Sequence, residues 1–192
     1  DLEDLTNLEC EECWPEINFG PCRPKWATEV ACHWAMREIE ISSARLSAVA
    51  FMDGPGCGRV SFNLPVSKSD PMALGKVRVH GCACPAKACP AAALRRLHAH
   101  ASAFVGPNSP EVLGERPLCP NFWGGFPTKE AMTEVFQAFG KALGVTKPIT
   151  GHMPRVAGAV RMARAGVDIW KIQIFCRWGS SVVLRYVQEA PL

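Results

Sequence analysis

Val60-Ser61-Phe62-Asn63-Leu64-Pro65-Val66-Ser67 is the stretch that decides the architecture. Apolar and polar residues alternate with period two, the repeat of a strand with one buried and one wet face. Pro65 has no amide hydrogen for a ladder, so the strand lies at a sheet edge or carries a bulge there. Ser67-Lys68-Ser69-Asp70 follows as a turn. Val77 and Val79 then alternate with Lys76, Arg78 and His80 as a further short strand. Upstream, residues 46–52 are apolar enough for a strand, and Asp53-Gly54-Pro55-Gly56 is a turn. Residues 46–80 are therefore expected to form a small three-stranded antiparallel sheet with Lys68 at a hairpin tip.

On either side the period becomes helical. Val30, Trp34 and Ile41 share a face of a helix expected over 28–44, with Thr28 as N-cap and Arg37 in mid-helix. Residues 89–104 read as an Ala-rich helix, and 105–127, rich in Pro and Gly, as a long loop. Met132, Val135, Phe136, Phe139 and Leu143 mark an amphipathic helix over 128–143 that Gly144 ends. Helices are expected over 152–165, stopped by Gly166, and near 168–176 and 180–189. The fold class is α+β: a mainly helical domain over residues 26–192 with a small antiparallel three-stranded sheet. Residues 1–25 form an irregular, acidic, Cys-containing entry segment. The chain begins at Asp1 rather than Met, as expected for a piece of a longer protein.

The net charge of +3 conceals an asymmetry. The first twenty residues hold seven acids and no Lys or Arg, which leaves 21 bases against 11 acids in the rest. A basic body suits a polyanionic partner. No apolar run approaches a membrane span and no secretory leader pattern is present, so neither membrane association nor secretion is expected. The ten cysteines are irregularly spaced in a chain with enough apolar residues for a real core, which favours free thiols in a reducing compartment. Cys10-x-x-Cys13 is one candidate metal pair. His80, Cys82, Cys84 and Cys89 supply four candidate zinc ligands, or else reduced thiols in a connector.

The remaining chemistry lies toward the C-terminus: Gly151-His152-Met153-Pro154-Arg155, Cys176-Arg177-Trp178-Gly179-Ser180-Ser181, and Arg185-Tyr186, the only tyrosine. Metal-free phosphodiester cleavage needs cations around the nonbridging oxygens, a nucleophile that loses a proton, and an acid for the leaving oxygen. Arginines, a histidine, a lysine in a hairpin, an indole N–H and one tyrosine cover these needs. Singly, each has a bland reading: a surface arginine, a solvated turn lysine, a helix cap, a core tryptophan.

Together they resemble the catalytic domain of the tyrosine recombinase (phage integrase) family. Three blocks carry the resemblance in order: Arg37-Glu38-Ile39-Glu40-Ile41, the Lys68 hairpin, and His152-x-x-Arg155 with Trp178 and Tyr186. The wording around Arg177 and Tyr186 looks most like recombinases of eukaryotic mobile elements, the crypton and DIRS-like groups. The resemblance implies that Arg37 and Arg155 hold the scissile phosphate and that His152 moves a proton or hydrogen-bonds that phosphate. It implies Lys68 as general acid, Trp178 as a donor or packing group, and Tyr186 as the nucleophile of a 3′-phosphotyrosyl bond. It further implies double-stranded DNA as substrate, a homo-tetramer on two duplexes, no cofactor, and a nuclear site (or a cytoplasmic one in a prokaryote). Alternatives are an inert DNA-binding relic and a type IB topoisomerase-like activity. Three features depart from the family. Trp178 and Tyr186 are one residue closer than in many members, through a shortened turn or a part played by Arg177. Pro154 interrupts the His–Arg motif and is tolerable only in a first helical turn. The N-terminal DNA-clamping domain has no counterpart in this sequence.

Overall fold

The computed structural model describes residues 2–64, 77–84, 88–104, 114–178 and 183–184. Helix α1 (Leu2–Asn7) stands within the expected irregular entry segment and places Leu5 in the core. Helix α2 (Pro24–His33) begins with Pro24 in its first turn, where the missing amide hydrogen costs nothing. It is the central helix: Ala27, Val30 and Ala31 are fully buried, and α1, α4 (Pro90–Phe104) and α6 (Met153–Arg164) all pack on it.

The expected single helix over 28–44 is in fact two. The Ala35 N–H donates to the Cys32 carbonyl (3.2 Å) and the Met36 N–H to the Ala31 carbonyl (2.8 Å), with Ala35 left-handed at φ 48. This is a Schellman end with alanine where glycine is usual. No Gly or Pro marks it in the sequence, so the apolar period runs on unbroken. Thr28 is no N-cap; its hydroxyl donates to the Pro24 carbonyl within α2. Arg37 lies at the N-terminal boundary of a second, short helix, α3 (Glu38–Ser42), and not in mid-helix.

A 3₁₀ turn (Leu46–Ala48) leads into the sheet of β1 (Val49–Met52), β2 (Arg59–Asn63) and β3 (Val77–Gly81), antiparallel in the order β1-β2-β3. Val60 and Phe62 of β2 face inward, and Phe62 meets Trp34 edge-on at 5.5 Å. In β3 the apolar residues face out: Val77 and Val79 are 61% and 51% exposed, while Arg78 points in at 4%. Arg78 Nη1 donates to the carbonyls of Trp34 and Ala35, at the C-terminal end of α2. Free carbonyls and the negative end of a helix dipole are favourable partners for a guanidinium. Pro65, Val66 and the Lys68 turn lie outside the described residues.

Helix α5 (Lys129–Ala142) is capped by Thr128, whose Oγ1 accepts from the Ala131 N–H at 3.1 Å, and packs its buried Met132, Val135, Phe136 and Phe139 face toward α3. Gly144 (φ 72) and Gly166 (φ 75) end α5 and α6 as their positions predicted. Helix α7 (Ile169–Phe175) matches the expected segment, whereas most of 180–189 lies outside the described residues. No helix among the described residues is long and apolar enough to cross a membrane. A second small cluster of Ala35, Ala159, Ile172, Cys176, Trp178 and Val183 seats α7 against α6.

At Gly158 helix α6 lies close against the end of α2: a Cβ there would collide with the Cys32 carbonyl oxygen. Gly158→Val is expected to cost about 1–3 kcal/mol by overpacking, read as a lower urea midpoint with an unchanged slope.

Candidate active site

Four of the sequence-predicted site residues converge where α3, α6 and the end of α7 meet. Arg155 is fully buried. Its Nε donates to the Ala35 carbonyl at 2.9 Å, and its Nη2 to Glu40 Oε1 and Oε2 at 2.6 and 2.5 Å. Its Nη1 is buried with no hydrogen-bond partner among the described residues. Glu40, itself 1% exposed, also accepts the Arg37 backbone N–H on Oε2 at 2.8 Å. That bond explains why the carboxylate stands three residues after Arg37, the spacing by which a side chain reaches back to a helix start.

Arg37 reaches His152 across the pocket, its Nε donating to His152 Nδ1 at 3.3 Å. His152 stands at the entry of α6 with Pro154 in the first turn, the one place where that proline is tolerable. The Glu38 N–H donates to the Gly151 carbonyl at 3.0 Å, which ties the α3 and α6 entries together. The Trp178 ring lies 6.1 Å from the His152 ring, centroid to centroid. Trp178 is placed by a second Schellman end, with Arg177 left-handed at φ 54 and the Trp178 N–H bonded to the Gln173 carbonyl. Arg177 turns inward and brings Nη1 to 3.8 Å from Glu40 Oε1.

One buried carboxylate thus sits among Arg155, Arg177 and the Arg37 helix start. Burial, reinforced by Arg37 and Arg155, pushes His152 down to about 4 against an ordinary 6.5, and Glu40 only partly opposes it. The imidazole is neutral at pH 7. Since Nδ1 accepts from Arg37, the ring proton sits on Nε2. The site therefore gathers guanidinium, imidazole and indole groups, an arrangement suited to a phosphodiester.

Lys68 and Tyr186 lie outside the described residues. Glu40 and Arg78 are contributors whose roles the sequence did not disclose, although the spacing of Glu40 from Arg37 was a usable signal. The expected zinc set needs correction. His80 does not join the cysteines: its Nε2 lies 3.2 Å from the His33 carbonyl oxygen and its ring packs edge-on to Trp34 at 4.6 Å. Cys57 takes its place beside Cys82, Cys84 and Cys89. Cys10 and Cys13 are outside that cluster, and all ten cysteines are free thiols.

Solved structures share this arrangement of elements. XerH site-specific recombinase bound to a palindromic difH substrate, in a post-cleavage complex, matches with TM-score 0.66 at 13% identity over 98% of this chain and 47% of that one. The fold is that of the tyrosine recombinases and integrases. A lambda integrase dimer bound to a COC' core site shares the recombinase fold with TM-score 0.61 at 14% identity, over 96% of this chain and 56% of that one. XerA recombinase matches with TM-score 0.55 at 18% identity, over 85% and 56% respectively. The chain spans about half the length of these recombinases. No protein-family model and no curated protein matches the sequence.

Glu40→Gln leaves Arg155 buried without its counter-charge and is expected to cost about 3–5 kcal/mol, measured by chemical denaturation. In the protein alone the His152 imidazole should stay neutral in an NMR titration until pH nears 4, and a ring that protonates above 6 would contradict the geometry. Its folded value lies below the unfolded 6.5, so the unfolded chain binds the proton first. His152 therefore contributes stability that is full above about pH 6.5 and is lost as pH falls toward 4.

Proposed function

We propose that this chain is the catalytic part of a site-specific DNA recombinase that breaks and rejoins duplex DNA through a 3′-phosphotyrosyl intermediate. The observation that carries the reading is the buried Arg155. Its Nη2 is clamped by Glu40 and its Nη1 is left for a ligand oxygen, within a pocket shared with Arg37, His152 and Trp178. A fully buried guanidinium with an unpaired N–H is costly unless an anion completes it. The likeness to recombinases solved on their DNA sites supports the same reading.

In this reading Arg37 and Arg155 hold the nonbridging oxygens of the scissile phosphate, and His152 Nε2–H donates to one of them. Tyr186 Oη attacks phosphorus as its proton passes to solvent water, the bond to the 5′-oxygen breaks, and Lys68 gives that oxygen its proton. The phosphotyrosyl bond keeps the energy of the broken diester, so rejoining by a 5′-hydroxyl needs neither ATP nor metal. Four copies act on two duplexes, and the wording near Tyr186 favours a mobile-element origin.

A nicked suicide duplex should trap a denaturation-resistant protein–DNA adduct with the wild type and none with Tyr186→Phe, while gel shifts show equal binding by both. An adduct of ordinary yield with Tyr186→Phe would overturn the nucleophile. Binding without an adduct from either protein would put the inert relic first. DNA affinity should fall steeply with salt as counterions are released, and a flat response would refute a basic contact surface.

A further inference from the structure

The sequence separates Cys57 from Cys82, Cys84 and Cys89 by the whole β2–β3 hairpin, yet the four Sγ atoms lie within 4.8 Å of one another. Cys57 Sγ is 3.5 Å from Cys89 Sγ and 3.9 Å from Cys84 Sγ. A tetrahedral zinc with Zn–S bonds of ~2.3 Å sets its sulfurs ~3.8 Å apart, so this separation suits a shared ion. A disulfide needs ~2 Å between sulfurs and would use only two of the four.

The backbone is shaped around the same sulfurs. The Ala83 and Ala92 N–H groups donate to Cys89 Sγ at 3.2 and 3.5 Å, and the Cys84 N–H to Cys82 Sγ at 3.3 Å. Amides aimed at sulfur stabilise thiolates, the form that binds metal. Gly56 and Gly58, both left-handed at φ 63 and 70, curl the turn on either side of Cys57. A Cβ on Gly56 would run into Cys82 Sγ, so glycine there admits the close approach. Core packing does not explain the cluster, because Cys84 is exposed and Cys57 and Cys82 only half-buried.

We propose that Cys57, Cys82, Cys84 and Cys89 bind one structural zinc ion that staples the sheet to helix α4. Cys57 precedes β2 and Cys82 follows β3, at the strand ends where Arg59 pairs with Gly81. Cys89 stands immediately before Pro90, the first residue of α4. The ion therefore closes the end of the hairpin opposite the connection that contains Lys68. Arg95 of α4 reinforces the joint, its Nε donating to the Cys57 carbonyl at 2.7 Å. An all-thiolate tetrahedral set favours zinc or iron over harder cations, and zinc brings no redox chemistry.

The test is elemental analysis of the intact protein purified under reducing conditions without added metal. About one zinc per chain is expected. Cobalt exchanged into the site should give the d–d and thiolate charge-transfer bands of a tetrahedral thiolate complex, a readout that needs no variant. Cys57→Ser should weaken zinc on the order of 100-fold or more in chelator competition. His80→Ala, which spares all four thiols, should leave affinity unchanged, and chelation should lower the melting temperature. A folded, metal-free protein that takes up neither zinc nor cobalt overturns the proposal. Iron in place of zinc, a disulfide within the set, or undiminished zinc binding by Cys57→Ser overturns it equally.

Discussion

The contact between Glu40 and Arg155 is the one on which the rest of the site depends. Both side chains are wholly withdrawn from solvent, and taking either ion out of water costs several kcal/mol. That cost is offset because nearly every polar group finds a partner. The carboxylate takes two contacts from Arg155 and one from the Arg37 backbone, and Arg155 Nε finds the Ala35 carbonyl. The pair joins residues 115 apart in the chain and so clamps α3 to α6. With α6 fixed, His152, one turn before Arg155, can face Arg37. A buried ion pair of this kind specifies geometry more than it adds stability.

Around that pair, the chain twice takes a left-handed turn without glycine. Ala35 ends α2 so that its carbonyl turns toward Arg155 and Arg78. Arg177 ends α7 so that its guanidinium lies beside Glu40 and Trp178 comes up near His152. Each such residue costs roughly 1 kcal/mol relative to ordinary backbone. Such turns persist where the surrounding contacts over-determine them, and strain of this kind tends to collect at functional sites. Glycine would ease the backbone at 177 but would remove the cation from the carboxylate.

The sheet shows the same priority of polar partners over simple patterning. In β3 the valines face outward because Arg78 and His80 have inward partners, the open carbonyls at the end of α2 and the Trp34 ring. Those contacts hold His80 away from the cysteines. The turn bearing Cys57 comes in from the neighbouring strand to complete the thiol cluster. One sheet therefore meets the arginine pocket through Arg78 at its inner face and gathers the four thiols at one end.

Local chemistry was enough to read the strand alternation at 60–63, the amphipathic helix over 128–143, the glycine ends at 144 and 166, and the tolerance of Pro154. Each depends on a few neighbouring residues and a fixed backbone period, which sequence carries directly. The motif residues Arg37, His152, Arg155 and Trp178 were also legible as types in order, and the structure brings them together. What only tertiary structure decided involves partners distant in sequence. The break after His33 is enforced by the Schellman bonds at Ala35 and by the Arg78 and Arg155 contacts on its carbonyl, none of which leaves a Gly or Pro behind. Glu40 is the buried counter-ion of Arg155 as well as the acceptor of the Arg37 N–H, because α6 lies against α3. Cys57 replaced His80 for the same reason: a ligand set is chosen by which atoms converge in space, and nothing along the chain records that convergence.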